Sequence, residues 1–327
     1  MNEVSRAAAL LRAGELVAFP TETVYGLGAD ASNPQAIAKI FAAKGRPADH
    51  PLIVHLPDAS HLERWAVDIP EAARKLAAAF WPGPLTLILK RHPSVLDAVT
   101  GGQDTVGLRV PNHPLALQLL REFGGANSGA NGGGLAAPSA NRFGHVSPTT
   151  AAHVREELGG TVAMILDGGP CAVGIESTIL DLSGGEPRIL RPGMLDAEAI
   201  GAVLGCLPAF GGEQNAPRVS GSLDAHYAPS TPLQLVAAAD LAATAAQALA
   251  DGRRVAVLAP EAPVHIHQKM VWSAASADAA QFAHELYARL RELDALGCDL
   301  ILVAAPPAAE AWRAVADRLR RAAAGSK

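Results

Sequence analysis

The sequence predicts an α/β protein in two domains, and three observations carry that prediction. Short apolar runs alternate with helical periods along most of the chain. One stretch of different texture, 206–231, interrupts the alternation with Pro208, Gly211-Gly212, Pro217, Ser220-Gly221-Ser222 and Pro229, and reads as a linker. A chain of 327 residues is long for one domain and comfortable for two, and its 49% hydrophobic content suffices for ordinary cores. The expected division is a domain over 1–205 built on a twisted mixed sheet with helices, a linker over 206–231, and a small doubly wound α/β domain over 232–327.

The elements follow in order. Residues 4–13 have helical periodicity ended by Gly14, and Glu15–Pro20 is a short apolar strand. Pro34–Lys44 is helical, with Asn33 as cap and Pro34 at the first helical position. Leu52–Leu56 is a buried strand; Glu71–Phe80 is a helix stopped by Trp81-Pro82-Gly83-Pro84. Leu85–Leu89, Thr105–Val110, Ala163–Asp167 and Ser177–Asp181 read as strands, and Ala151–Leu158 and Ala197–Leu204 as helices. Beyond the linker come strands at Pro232–Val236, Val255–Leu258, Met270–Ser273 and Leu300–Ala304, and helices at Leu241–Ala250, Asp278–Leu293 and Ala308–Ala323. No glycine-rich phosphate loop follows the first of those strands, so this domain reads as an accessory one.

Composition excludes several classes. A net charge of −5 argues against nonspecific nucleic-acid binding, and 4% aromatics against a base-stacking platform. Cys171, Cys206 and Cys298 are odd in number and far apart, which suits reduced thiols better than disulfides or structural zinc. No apolar run reaches membrane-spanning length, and Met-Asn-Glu-Val-Ser-Arg lacks a signal-peptide core, so a cytoplasmic protein is expected. There is no Walker-type loop and no Gly-x-Ser-x-Gly elbow. His265-x-His267 lacks the further ligands a metal would need and reads as surface loop.

The most informative segment is Lys44-Gly45-Arg46-Pro47, two cations between a helix and a strand. Two fixed cations suit a polyanion such as nucleotide phosphates, but alone the segment is better explained by a solvated turn. Pro20–Gly28 adds hydroxyls and a carboxylate at a strand end, and Ala137–Asn141 follows the glycines Gly132-Gly133-Gly134. Arg109 ends a strand, and Gly174–Thr178 and Leu190–Gly193 add hydroxyls and another guanidinium. These groups favour binding and charge stabilisation over covalent catalysis.

Taken together the segments resemble the YrdC-like threonylcarbamoyl-adenylate synthases, in the longer form that carries an additional C-terminal domain. The matching stretches are Pro20–Gly28, Lys44–Leu52, Val106–Pro111, Ala137–Asn141, Ser147–Thr150, Gly174–Asp181 and Leu190–Gly193, in the family's order, with His226-Tyr227-Ala228-Pro229 matching the long form's linker. The resemblance implies a YrdC-like fold followed by a Rossmann-like domain, and a nucleotidyltransferase: L-threonine, bicarbonate and ATP give L-threonylcarbamoyl-adenylate and pyrophosphate, with Mg²⁺ accompanying ATP and no enzyme nucleophile. The product would pass to threonylcarbamoyl transferase proteins that modify adenosine 37 of tRNA, and tRNA or double-stranded RNA is a candidate contact.

Site residues carry over as implications of the resemblance. Thr23, His55, Arg109, the backbone at Ala137 and Ser177 are expected to hold threonine. Lys44, Arg46, His50, Thr105, Ser139, Asn141, Ser147 and Arg191 are expected at the nucleotide, with Lys44 and Arg46 exposed to it. Thr21 and Tyr25 are lesser candidates, and Tyr227 is a linker candidate. His50 stands where the family often has Asn, Asn127–Gly134 is a longer glycine-rich approach than usual, and the linker lacks the family's Met and basic residues. Three other readings are weighed: an RNA-binding role alone, carbamoyl transfer in hydrogenase maturation, which would bring Cys-x-x-Cys pairs this chain lacks, and a diverged regulator.

Overall fold

A computed structural model describes residues 2–124, 133–211, 216–262 and 267–326. It separates into two compact units, Met1–Phe143 with Pro148–Ser222, and Gly144–Ser147 with Leu223–Lys327. Among the described residues no helix is long and apolar enough to cross a membrane.

The first unit is built on a ten-stranded mixed sheet: β1 Val17–Phe19, β2 Gly26–Asp30, β3 Ile53–His55, β4 Leu85–Lys90, β5 Thr105–Arg109, β6 Leu135–Ala136, β7 Met164–Ile165, β8 Thr178–Asp181, β9 Arg188–Arg191 and β10 Ala209–Phe210. Their spatial order is β10-β9-β8-β4-β5-β3-β6-β2-β1-β7. The registers place the site. β3 runs parallel to β5 with His55 opposite Arg109. β4 runs antiparallel to β5, β8 parallel to β4, and β9 antiparallel to β8. The ends of β3, β5 and β9 and the starts of β4 and β8 therefore meet on one edge of the sheet.

Helices cover the sheet where the apolar stripes dictate. Glu3–Arg12 buries Val4, Ala7, Ala8 and Leu11, a helical spacing, and Asn2 caps it by accepting the Ser5 N–H at 2.8 Å. Pro34–Lys44 is capped by Asn33, whose Oδ1 accepts from Gln35 and Ala36. It stops at Gly45, which lies in the left-handed region at φ 61°. The Arg46 N–H donates to the Phe41 carbonyl and the Gly45 N–H to that of Ala42, the paired bonds of a Schellman turn. The Lys-Gly-Arg segment is thus the C-terminal stop of a helix.

Several elements depart from the sequence expectation. The sequence reading takes Thr21–Gly28 as a turn, yet Gly26–Asp30 is a strand. Its glycines lack strand propensity and are there for space: a Cβ on Gly28 would stand 2.8 Å from the Phe19 ring. Pro114–Phe123 is a helix that the reading lacks, buried through Ala116, Leu119, Leu120 and Phe123. Arg188–Arg191 forms β9, a strand that the reading lacks. Within the stretch expected as linker, Ala209–Phe210 pairs with β9, and Val219 joins Ile88 and Ile179 in a small apolar cluster. Met164–Ile165 is shorter than the expected 163–167 strand, and the last helix runs Arg313–Gly325 after a 3₁₀ turn at Glu310–Trp312.

The second unit is a four-stranded parallel sheet of β11 Leu233–Val236, β12 Val255–Ala259, β13 Met270–Ala274 and β14 Leu300–Ala304, in the order β11-β14-β12-β13. Helix Leu241–Ala250 packs on the face carrying Val255, Val257, Leu300 and Leu302. The linker motif is part of this unit's core. Tyr227 is buried at φ 62°, stacks on Tyr287 at 5.7 Å and lies under the guanidinium of the fully buried Arg318 at 5.2 Å. The Ala228 N–H donates to the Gly144 carbonyl at 2.8 Å, which ties 144–147 to the same unit.

His55, at the end of β3, is buried with its ring edge-on to Phe19 at 6.1 Å. Burial, and then the charge of Arg109, pull its pKa from 6.5 down to about 3. The unfolded chain takes up this proton near pH 6.5 and the folded chain only near 3, so stability is present above 6.5 and is lost as pH falls through that interval. A His55→Gln chain should show a flatter fall in urea midpoint between those limits than the parent; an identical slope would mean that other groups drive the acid transition.

Candidate functional site

The first unit holds three guanidiniums and a lysine, each fixed by main-chain oxygen: Arg109 and Arg191 at the ends of β5 and β9, and Lys44 and Arg46 by the segments that follow β6 and precede β3. Lys44 and Arg46 are 3% and 7% exposed, against the expectation that both side chains lie open. Lys44 Nζ donates to the carbonyls of Ser139 at 2.5 Å and Asn141 at 2.6 Å, and the Phe143 N–H donates back to the Lys44 carbonyl at 2.8 Å. Burial first, and then the charge of Arg46, hold the lysine well below its usual range. An anion placed beside it would restore its proton affinity. Arg46 donates to the Pro51 carbonyl at 2.8 Å and lies 6.0 Å from the Phe143 ring. His50 meets the same ring edge-on at 5.3 Å, and its pKa is lowered by partial burial and by Arg46.

Arg191, at the end of β9, donates through Nε and Nη2 to the Ser177 carbonyl and through Nη2 to Ser177 Oγ at 3.1 Å. Ser177 Oγ is also 2.8 Å from Thr86 Oγ1. Ser220 joins the two guanidiniums: its hydroxyl accepts from Arg46 at 3.3 and 3.4 Å, and its carbonyl accepts from Arg191 at 2.8 Å. One residue thus presents two oxygens to two cations, as a phosphate would. Thr105, at the start of β5, lines a small cleft together with Pro51, Gln103 and Ser220.

Arg109, at the far end of β5, is buried and ion-paired with Glu22 at 2.7 Å, and its Nε donates to the Gly83 carbonyl at 3.2 Å. The second Glu22 oxygen accepts the Asn112 N–H at 2.9 Å. Thr21 Oγ1 accepts the N–H groups of Thr23 and Val24, donates to the Val24 carbonyl and lies 2.9 Å from Thr23 Oγ1, so it holds the turn. Tyr25 serves packing: its hydroxyl donates to the Gly169 carbonyl, and burial pushes its pKa up to about 12. Cys171 is buried and likewise pushed up to about 12.

The loop 137–141 is stitched to its neighbours by backbone: Ala137 N–H to the Ile53 carbonyl, Leu27 N–H to Pro138, Ala140 N–H to Tyr25. The Ala137 N–H is therefore committed to the sheet. Asn141 is buried, with Nδ2 donating to the Arg142 carbonyl at 2.8 Å.

Thr23, His55, Arg109, Ala137, Ser177, Lys44, Arg46, His50, Thr105, Ser139, Asn141 and Arg191 all lie in the first unit; the structure sets His55 opposite Arg109, Lys44 on Ser139 and Asn141, and Arg191 on Ser177. Ser147 and Tyr227 belong to the second unit, where both are buried. Most of the Asn127–Gly134 loop and His265 lie outside the described residues. Among the described residues no group of three or more His, Cys, Asp or Glu is placed to hold a metal. Glu22 and Ser220 are the groups that sequence reasoning leaves out of the site. Glu22 is visible as the carboxylate of the Pro20–Gly28 cluster; Ser220 carries no local signal.

Comparison with known proteins identifies relatives of both parts of the chain. Residues 9–193 match a family model described as "Telomere recombination" (Sua5/YciO/YrdC), and residues 195–324 match one described as the C-terminal domain of threonylcarbamoyl-AMP synthase. The chain is 43% identical to the threonylcarbamoyl-AMP synthase of Bacillus subtilis, over 99% of this chain and 93% of that protein. It is 39% identical to the enzyme of the same name from Pyrococcus abyssi, over 97% and 92%. The crystal structure of P. abyssi Sua5 complexed with L-threonine superposes with a TM-score of 0.88 at 38% identity, covering 99% of this chain and 94% of that one. With both of its parts matched and its relatives aligned nearly end to end, the chain belongs to the Sua5/YciO/YrdC family, in the form that carries the threonylcarbamoyl-AMP synthase C-terminal domain.

Proposed function

We propose that this chain is an L-threonylcarbamoyladenylate synthase, which converts L-threonine, bicarbonate and ATP into L-threonylcarbamoyl-AMP, pyrophosphate and water. The observation that carries the reading is the pair of guanidiniums, Arg46 and Arg191, bridged by Ser220, with Arg191 on the same sheet edge as the buried Arg109.

The chemistry needs positioning more than reactive groups. The threonine nitrogen forms a bond to the bicarbonate carbon and water leaves, giving a carbamate. A carbamate oxygen then bonds to the α-phosphorus, and the bond from that phosphorus to the β-phosphate oxygen breaks. Arg109 holds the threonine carboxylate, with Glu22 and Gly83 fixing the guanidinium. Thr23 and Ser177 offer hydroxyls to the amino acid. Phosphate oxygens take the place of the Ser220 oxygens on Arg46 and Arg191, and Lys44 responds to the added negative charge by holding its proton. Mg²⁺ enters with the nucleotide as MgATP. The product supplies threonylcarbamoyl transfer to tRNA. Direct binding of tRNA or double-stranded RNA is not part of the reading, given a net charge of −5.

Pyrophosphate release from ATP should require both L-threonine and bicarbonate; release that ignored either would sink the assignment. Arg46→Ala should lower turnover by about a hundredfold or more. Lys44→Ala should lower turnover too, and also cost about 1–3 kcal/mol of stability, because two buried carbonyls lose their donor. Steady-state pyrophosphate assays and urea titrations separate the two effects. Arg109→Lys should raise KM for L-threonine at least about tenfold, since an ammonium cannot make the paired contact a carboxylate accepts. An unchanged threonine KM would place the amino acid elsewhere.

A further inference from the structure

Strand β4 carries one polar side chain among its buried positions. Leu85-Thr86-Leu87-Ile88-Leu89 is buried throughout, and Thr86 places a hydroxyl where the strand pattern asks only for an apolar residue. The methyl end of Thr86 is explained by packing: a Cβ on Gly107 would stand 3.5 Å from Thr86 Cγ2, so the glycine leaves room beside that methyl. A β-branched side chain is stiff at χ1, and with the methyl so placed the hydroxyl is held toward Ser177. The registers put Thr86 on the face of the sheet that carries the site. It stands opposite Ile179 of β8, and Ile179 stands opposite Arg191 of β9. Ile88, two residues on, is opposite Gly107 of β5, which shares its face with Arg109, and Arg109 is opposite His55.

Counting hydrogens gives the two hydroxyls a spare donor. Thr86 Oγ1 and Ser177 Oγ are 2.8 Å apart, and Arg191 Nη2 donates to Ser177 Oγ at 3.1 Å. Neither hydroxyl has a further hydrogen bond among the described residues. Two O–H hydrogens meet in one contact, so one of them lacks an acceptor. Both residues are fully buried, and a buried donor is costly until an oxygen meets it. The position of Ser177 decides which hydrogen is spare. Leu85 pairs with Thr178, so Ser177 lies nearer than Thr86 to the edge where β4 and β8 begin and β5 ends on Arg109. When Thr86 donates to Ser177, the serine oxygen accepts from both Thr86 and Arg191 and its own hydrogen is left to point outward. Arg109 has its Nε on Gly83 and its Nη2 against Glu22, and a carboxylate brought to it keeps lone pairs for a second donor.

We propose that Thr86 positions the amino acid through Ser177: its O–H donates to Ser177 Oγ, which Arg191 also occupies, so that the Ser177 O–H is turned to the threonine carboxylate beside Arg109. This role rests on the synthase reading and adds to it a residue of β4 that does not itself touch substrate.

Steady-state pyrophosphate release by the full chain, with L-threonine and ATP varied in turn, tests it. Thr86→Val keeps the shape and removes the hydroxyl. It should raise the threonine KM about tenfold while the ATP KM and the urea midpoint stay near those of the parent. Thr86→Ser, which keeps the hydroxyl, should return the threonine KM to the parent's. Ser177→Ala should raise that KM at least as much as Thr86→Val, and the Thr86→Val/Ser177→Ala pair no further, because Thr86 acts only through the serine. If Thr86→Val fails to fold, Thr86→Ala removes the same hydroxyl by truncation and takes its place in each comparison. An unchanged threonine KM on loss of the hydroxyl, a rise that Thr86→Ser does not reverse, or effects of the two single changes that multiply in the double variant overturns the proposal, and leaves the synthase reading standing so long as release by the parent requires threonine. Release by the parent that ignores threonine overturns both.

Discussion

The site depends first on where one helix stops. Asn33 and Pro34 fix the start of the helix, and Gly45 fixes its end by entering a backbone region closed to most side chains. A Cβ on Gly45 would meet nothing within 4 Å, so the requirement there is conformational and not steric. Because the turn closes through Arg46 onto Phe41, the two cations cannot drift independently: Lys44 is carried onto the loop 139–141 and Arg46 onto Pro51. One residue inserted into the helix before Lys44 would turn its side chain by about 100° away from that loop.

The second constraint is electrostatic. Four cations are buried in the first unit, and their desolvation must be offset. Arg109 pairs with the Glu22 carboxylate, and Lys44, Arg46 and Arg191 each donate to main-chain carbonyls. Burial first, and then the charge of Arg46, lower the lysine.

Much of this was legible in the sequence where local physics decides. The helices Pro34–Lys44, Glu71–Phe80, Ala151–Leu158, Ala197–Leu204 and Leu241–Ala250 have the bounds that their stripes, caps and breakers imply. Gly26–Asp30 was not legible, because its glycines answer to Phe19 and Ala137 across the sheet and not to strand propensity. Pro114–Phe123 did carry a signal, a proline after His113 and apolar residues at helical spacing. Motif order named the residues of the site but not their partners. Ser220 sits 174 positions from Arg46, and no local pattern announces that contact. The exposure expected for Lys44 and Arg46 failed for the same reason: burial is set by the loops that close over them.

The cations are held by main-chain oxygens: Ser139 and Asn141 for Lys44, Pro51 for Arg46, Gly83 for Arg109 and Ser177 for Arg191. A carbonyl survives any substitution of the side chain that belongs to it. The supporting loops are thus free to drift in composition while the charges stay in place, whereas the loss or gain of a single residue would shift the carbonyls and disperse them. Tolerance at this edge is a matter of loop length and path, with letter-by-letter identity demanded chiefly of the cations and of the glycine that turns the chain between two of them.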